Sequence, residues 1–303
     1  MKALIIGYGS IGERHHDVLS SMGTFEEIHI VTSQTLNNLT TFTTLESVAD
    51  IDTYDYFVIA SETHKHLHQL LYLDSHVKNK TILCEKPLFE TYHNSEFKNN
   101  AIYIGYVLRF HPIFATIRTL LNEETPIAVS IKTGSYLPTW RPQRDYRTLY
   151  SALKEQGGGV LLDLSHEIDY AQWLFGPLTL LSAYQSKISD LEIDSDDITV
   201  ITAQTPAKTL MTISLDYISK IPIREMSIHT NTQTILADMM SNTIKIGTKE
   251  GEIQTIALEP FERNDLFIQM HRSALGNKEN LCTLHEGLNV MKTISQIQEQ
   301  RHG

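Results

Sequence analysis

The chain has 303 residues, 41% of them hydrophobic and 20% charged, which is enough for a sizeable core and for two domains. Its formal net charge of -11 excludes a generally basic surface for nucleic acid or anionic membrane, while leaving room for a local basic pocket. The two cysteines, Cys84 and Cys282, stand far apart in no metal-type spacing, so structural thiols in a reducing cytoplasm are expected.

The opening MKALIIGYGS has one lysine and a short apolar run broken by glycines, too short for a secretory signal. No window reaches the roughly 18 apolar residues of a membrane helix. A soluble cytoplasmic protein is expected. The first third alternates short β-type runs (3–6, 28–31, 56–60, 81–84 and 102–106) with helix-compatible segments at 12–22, 64–73 and 88–98. That rhythm predicts βαβ units and a parallel sheet, a dinucleotide-type α/β domain over 1–112. A helical segment at 113–122 and a strand-like run at 127–136 follow. From 178 to 258 come seven β-like runs without obvious crossover helices, which read as a large, open, mostly antiparallel sheet. Helical patterns at 261–275 and 286–299 end the chain. The fold class is therefore α/β followed by α+β, the second domain spanning 113–303.

GYGSIG carries Gly7, Gly9 and Gly12, with Ser10 and Ile11 between them, directly after the first strand and at the start of a helix. Gly7 permits a tight turn, Gly9 lets backbone reach a pyrophosphate, and Gly12 lets helix and sheet pack closely. The anion would sit at the helix N-terminus. About twenty residues on, where an acid usually holds the adenosine ribose, the chain reads Thr32 and Ser33 with no nearby Arg or Lys, so NAD and NADP both stay open. HKHLH (64–68) has no carboxylate cluster near it in sequence. A solvated helix start beside the cofactor, with Ser61 and His66, is expected there and no metal site. CEKPLFE puts Glu85 and Lys86 just past a strand, at the carboxyl edge where α/β ligands bind. Lys86 suits a substrate oxygen and a mobile proton; a surface ion pair between these two neighbours is the alternative.

GGGVLLDLSHEIDY (157–170) is the passage richest in chemistry. An apolar run there carries Asp163, His166 and Asp169, and each is costly to bury unless paired or used. Further back, SYLPTWRPQRDYR concentrates Arg141, Arg144 and Arg147 among Tyr136, Trp140 and Tyr146. Arginine forks suit carboxylate or phosphate and aromatic rings suit a sugar face, although a loop paired with the chain's own acids fits as well. Arg109 and His111 in GYVLRFHP are further candidates for the pocket floor, with packing against the sheet as an equal alternative.

Taken together, GYGSIGERH, ASETHKH, CEKP, GYVLRFHP and the triple-glycine motif resemble the glucose–fructose oxidoreductase / inositol dehydrogenase / MocA family, in that family's order and over about residues 1–176. The resemblance implies a Rossmann domain that binds NAD or NADP, including Glu85 and Lys86 at its edge. It also implies a second domain whose sheet often serves in oligomer contacts, hence a homo-oligomer (dimer or tetramer). Lys86 would orient substrate and move a proton, and Asp163 and His166 would be the family's Asp and His pair. Members commonly space that pair by three residues; here only Leu164 and Ser165 intervene, so both would still share one helix face. His166 would be the general acid/base, Asp163 or Asp169 its partner, and Gly157 to Gly159 would let the chain pass close to substrate. The substrate set is then Arg109, Tyr136, Trp140, Arg141, Arg144, Asp163 and His166.

The implied activity is oxidation or reduction of a hydroxyl or carbonyl carbon on a sugar-type molecule. The LPTWRP…GGG passage resembles members found in bacterial surface-sugar biosynthesis, which implies a nucleotide-sugar or sugar acid. An NAD-dependent glycosidase of the same fold family and a non-catalytic dinucleotide sensor are the alternatives. No nucleic-acid or membrane partner is expected.

Overall fold

The computed structural model describes residues 1–121 and 124–300. It divides into two compact units: Met1–Phe110 with Phe261–Leu288, and His111–Pro260 with the residues from Asn289 onward. The second stretch of the first unit is a return that the division into 1–112 and 113–303 does not contain.

In the first unit, β1 (Lys2–Ile6), β2 (Glu27–Val31), β3 (Thr41–Phe42), β4 (Tyr56–Ile59), β5 (Thr81–Cys84) and β6 (Ala101–Ile104) form a parallel sheet in the order β3-β2-β1-β4-β5-β6. A short strand, Cys282–Thr283, adds antiparallel to β6. Beyond the first residues of β1 and β5, Lys2 and Thr81, the central strands β1, β4 and β5 are apolar because both faces are covered: Leu4, Ile5, Phe57, Val58, Ile82 and Leu83 are all inaccessible. Helices α1 (Ser10–Met22) and α2 (Thr63–His76) are the crossovers. Val18 and Leu19 on α1 share a cluster with Phe267, Met270 and Ala274 of the returning helix Arg263–Leu275.

No helix forms at 88–98. The segment is rich in Asn, Ser, Thr and His, which are poor helix formers, and its backbone is satisfied in other ways. His66 faces the Pro87 and Leu88 carbonyls, and the Asp74 carboxylate takes the Lys98 and Asn99 N–H groups, each at 3.0 Å.

The second unit starts at α3 (Pro112–Leu121); residue 122 of the expected helix lies outside the described residues. His111 caps α3, its Nδ1 accepting the Ile113 N–H at 3.2 Å, and burial with the Arg224 charge pushes its imidazole down to about 4. An eight-stranded sheet follows: β7 (Ala128–Gly134), β8 (Thr179–Ser186), β9 (Ile198–Gln204), β10 (Leu210–Asp216), β11 (Ile223–His229), β12 (Gln233–Asp238), β13 (Thr243–Thr248) and β14 (Ile253–Ala257). Their order is β14-β13-β12-β11-β7-β10-β9-β8, antiparallel except for the β7–β10 pair. Alternation sets the faces: Met211, Ile213 and Leu215 are buried on β10 and Ile201 and Ala203 on β9, while Val200, Leu210 and Leu236 are exposed. The expected single helix after the glycines is broken into α4 (Val160–Asp163), which packs on β9 and β10, and α5 (His166–Phe175). At Leu164 the backbone (φ −100°, ψ 31°) leaves the helical region.

Arg109 is buried within the first unit. Its inaccessible guanidinium donates from Nη1 to the Leu281 carbonyl (3.1 Å) and to Glu286 Oε1 (3.0 Å), tying β6's exit to the return segment. The expectation that it contacts substrate is corrected, because a buried cation must be satisfied inside the protein. Burial by itself would raise the Glu286 carboxyl, but the Arg109 charge and hydrogen bonds from Thr283 outweigh it, and the net shift is downward. A carboxylate depressed in the folded state stabilises above its unfolded pKa, near ~4.3, and that stability is lost as pH falls through the folded value. Glu286→Gln should therefore cost about 1 kcal/mol at neutral pH, held down by partial exposure, and less as acid is added. Urea titration at several pH values checks this; a pH-independent difference would remove the ionic part.

Candidate functional site

The glycine loop leaves β1 at Gly7, whose φ of +100° only glycine adopts readily. A Cβ there would lie 2.5 Å from the Ser61 nitrogen, and one on Gly12 would lie 2.2 Å from the Gly7 carbonyl oxygen. These two glycines therefore let β1, α1 and the end of β4 converge. Gly9 differs. It caps α1 in an extended conformation (φ −76°, ψ −172°), and a Cβ on it would meet no atom within 4 Å. The amides of Ser10, Ile11 and Gly12 precede the first intrahelical bond, Glu13 N–H to Gly9 O, so the helix itself gives them no acceptor. β1 and β4 are neighbours while the chain winds to opposite sides from them, the switch point at which such sheets bind ligands. A dinucleotide pyrophosphate fits this cradle.

Ser61 donates from Oγ to Gln69 (2.7 Å). Thr32 directly follows β2, its Oγ1 accepting the Gln34 N–H at 3.2 Å, and Ser33 is exposed. Gln34, which sequence reasoning passed over, reaches back from Nε2 to the Tyr8 carbonyl (2.9 Å) and so braces the glycine loop. His66 is buried, in place of the solvated position expected, because its ring reaches three carbonyls: Nε2 faces that of Ser61 at 3.1 Å and Nδ1 those of Pro87 and Leu88 at 3.1 and 3.2 Å. Burial lowers its pKa against the pull of those carbonyls. It joins the loop after β4 to the loop after β5.

Glu85 and Lys86 follow β5 as expected. Glu85 Oε1 is 3.0 Å from His15 Nε2, and Oε2 accepts the Lys86 N–H at 3.2 Å. A Cβ on Gly105 would lie 2.6 Å from Glu85 Oε1, so the glycine of GYVLRF clears the carboxylate's place. Thus the first unit gathers Gly7, Gly12, Ser61, His66, Glu85 and Lys86 about one edge of its sheet.

In the second unit, Asp163 Oδ2 accepts from Ser151 Oγ (2.6 Å) and from the Tyr217 hydroxyl (2.5 Å). Burial and the Asp163 charge raise the Tyr217 phenol, and the same charge, helped by burial, raises Tyr150. Phenols held protonated in this way serve as donors to the carboxylate. Trp140 stands edge-on to Tyr217 (centroids 5.2 Å apart) and donates from Nε1 to Ser135 Oγ (2.7 Å). The Lys220 ammonium sits 4.3 Å from the Tyr136 ring. Arg141 and Arg144 are exposed, and the Arg141 charge acts on Tyr150. Arg147 does not join them, since Asp145 and Glu192 pair with it at 2.8 and 2.7 Å.

Two expectations change here. His166 opens α5 while Asp163 ends α4, so the shared face of one continuous helix does not exist; Asp169 is buried within α5. The glycines give their space to the protein itself: a Cβ on Gly158 would lie 2.1 Å from the Tyr150 carbonyl, and one on Gly159 2.2 Å from Asp196 Oδ1. Asp196 in turn takes the Leu161 N–H at 3.0 Å. Sequence reasoning also missed Glu167, wholly buried, whose Oε1 accepts from Thr133 (2.9 Å) and Arg224 (3.0 Å). Its signal was a fourth ionisable group in the same apolar passage.

Comparison with known proteins gives two family matches: "Oxidoreductase family, NAD-binding Rossmann fold" over residues 1–99, and "GFO/IDH/MocA C-terminal domain" over residues 124–235. An uncharacterized oxidoreductase of Synechocystis is 26% identical over 172 residues, 53% of this chain and 46% of that protein. Levoglucosan dehydrogenase of Pseudarthrobacter phenanthrenivorans is 27% identical over 145 residues, 45% of this chain and 37% of that protein. Each match thus spans less than half of the relative's length. Among solved structures, levoglucosan dehydrogenase in complex with NADH superposes with a TM-score of 0.83 at 16% identity, over 99% of this chain and 96% of that one. UDP-N-acetylglucosamine 3-dehydrogenase from Acidithiobacillus ferrooxidans superposes with a TM-score of 0.74 at 16% identity, over 99% and 97%. These similarities show the fold.

The cradle separates two glycine variants. Gly9→Leu should fold normally, because its Cβ meets nothing, yet lose the rise in thermal midpoint that NADH gives by binding the folded state. Gly12→Ala should lower the midpoint without any ligand. An undiminished NADH shift in Gly9→Leu would take the loop out of the cofactor site.

Proposed function

The chain belongs to the Gfo/Idh/MocA family of NAD-binding oxidoreductases, and on that footing we propose that it oxidises or reduces a hydroxyl or carbonyl carbon of a sugar-type substrate. One observation carries this reading. Lys86 follows β5 at the carboxyl edge of the same parallel sheet whose β1 end opens into the Gly9 cradle, so a proton carrier and a dinucleotide site share one edge.

Bound NAD or NADP supplies the hydride acceptor, or the donor in the reverse direction. As alcohol becomes carbonyl, the hydroxyl proton must leave the oxygen; Lys86 and His166 are assigned to take it, in keeping with the family resemblance. Asp163, turned by Ser151 and Tyr217, is an acceptor for a neighbouring substrate hydroxyl. Trp140 and Tyr136 offer aromatic faces to the sugar ring. Arg141 and Arg144 favour an anionic substituent, which makes a nucleotide-sugar or sugar acid the preferred class. Two structural relatives, a levoglucosan dehydrogenase and a UDP-N-acetylglucosamine 3-dehydrogenase, are named for sugar-type substrates, which supports this reading. Self-association through the outer face of the eight-stranded sheet belongs to the same proposal, with exposed Val200, Leu210 and Leu236 as its apolar contribution.

A panel of levoglucosan, UDP-N-acetylglucosamine and a UDP-uronic acid, each with NAD and NADP, tests the reading through the absorbance of reduced nicotinamide. The UDP-sugars should react best, and Arg141→Ala should raise their KM while leaving that for levoglucosan unchanged. Lys86→Ala and His166→Ala should each lower kcat by about 10²-fold or more with NADH affinity retained. Substrate cleavage without net nicotinamide reduction would replace this reading with a redox-cycling glycosidase.

A further inference from the structure

Behind Glu85 lies a run of buried polar side chains that the proposed chemistry does not use. Tyr56 on β4, His271 on the Arg263–Leu275 helix and His15 on α1 are wholly inaccessible. They meet head to tail. The Tyr56 hydroxyl is 2.9 Å from His271 Nδ1, His271 Nε2 is 2.9 Å from His15 Nδ1, and His15 Nε2 is 3.0 Å from Glu85 Oε1. The rings stand edge-on, with centroids 5.0 Å apart for His15 and His271 and 5.7 Å for Tyr56 and His271. Val18, Leu19, Phe267, Met270 and Ala274 belong to the surrounding apolar cluster, so each polar atom has to be satisfied within the chain.

Counting hydrogens gives the run a direction. Burial, with His15 alongside, holds the His271 imidazole well below its ordinary range, and burial holds the Tyr56 phenol above its own. Tyr56 therefore brings one hydrogen, and His271 Nδ1 is the acceptor that the described contacts give it. A hydrogen on His271 Nδ1 would strand the tyrosine's, so His271 carries its single hydrogen on Nε2 and gives it to His15 Nδ1. His15, accepting there, carries its own hydrogen on Nε2 and gives it to Glu85 Oε1. Glu85 then ends the chain as an acceptor, with its other oxygen on the Lys86 N–H and its place cleared by Gly105.

We propose that Tyr56, His271 and His15 are positioning residues, a one-way hydrogen-bond chain that holds Glu85 as an oriented carboxylate and through it sets the turn presenting Lys86. This rests on the reading that Lys86 works at the substrate oxygen. Removing the far end of the chain should then act on chemistry at a distance, because small displacements of a reacting group are costly.

Imidazole 15N NMR on the full chain tests the arrangement without substrate. Both His15 and His271 should show a protonated Nε2 and an unprotonated Nδ1. Tyr56→Phe should abolish the single tautomer of His271. His271→Gln, which keeps an N–H donor, should preserve the tautomer of His15, whereas His271→Leu should mix it. An Nδ1–H form or an imidazolium at either histidine in the wild type overturns the chain, whether or not any sugar is turned over. With whichever panel substrate reacts, Tyr56→Phe should lower kcat by roughly tenfold or more with KM for the cofactor unchanged. Unaltered kcat alongside the proposed tautomers would overturn the positioning role and leave the sugar reading intact.

Discussion

No side chain fits between Gly7, Gly12 and Ser61. That exclusion holds three elements together at one point: the end of β1, the first turn of α1 and the exit of β4. Because α1 cannot retreat from the sheet there, its N-terminus stays aimed at the switch point, where unpaired amides and the helix dipole favour an anion. Its far face must then find cover, and Val18 and Leu19 find it in the helix that returns at Arg263–Leu275. The glycine cradle and the return of a distant segment thus follow from one close backbone approach.

In both units the functional candidates are organised about carboxylates that the fold pays to bury. Glu85 in the first unit is met by His15 and the Lys86 amide. In the second, Asp163 is met by Ser151 and Tyr217, Glu167 by Thr133 and Arg224, and Asp196 by the Leu161 amide. An unpaired buried carboxylate would neutralise or unfold its surroundings, whereas a hydrogen-bonded one is a rigid acceptor at a defined place. Asp163 has the company a substrate hydroxyl would need: donors behind it, an indole beside Tyr217, and an arginine charge near Tyr150. Glu167 and Asp196 serve the fold, the first joining α5 to β7 and β11, the second filling the space that Gly159 leaves.

Local pattern was enough for much of this. The five β-runs of the first third became five of the six parallel strands because their apolar, β-branched stretches suit a sheet covered on both faces, and the alternating runs after 178 became strands of a half-exposed, mostly antiparallel sheet. The glycine loop was legible from spacing, since each glycine answers a local demand of a strand–turn–helix. Segment 88–98 was misread because composition near the helix threshold was overruled by His66 and Asp74, which reach it from elsewhere in the chain.

By itself, then, the sequence determined the order and type of most elements, the cradle at Gly9 and the Glu85–Lys86 position, because these depend on neighbours within a few residues. Tertiary structure alone decided what the buried charges do. Arg109 reads as a pocket cation until Glu286, far along the chain, is brought to it; Gly159 reads as room for a ligand until Asp196 fills that room; the helix carrying Asp163 and His166 reads as continuous until Leu164 breaks it. His15 and His271 carry no local signal at all. A hydrogen bond between residues far apart in sequence leaves no periodicity, and only the packing of α1, β4 and the returning helix brings its two ends within 3 Å.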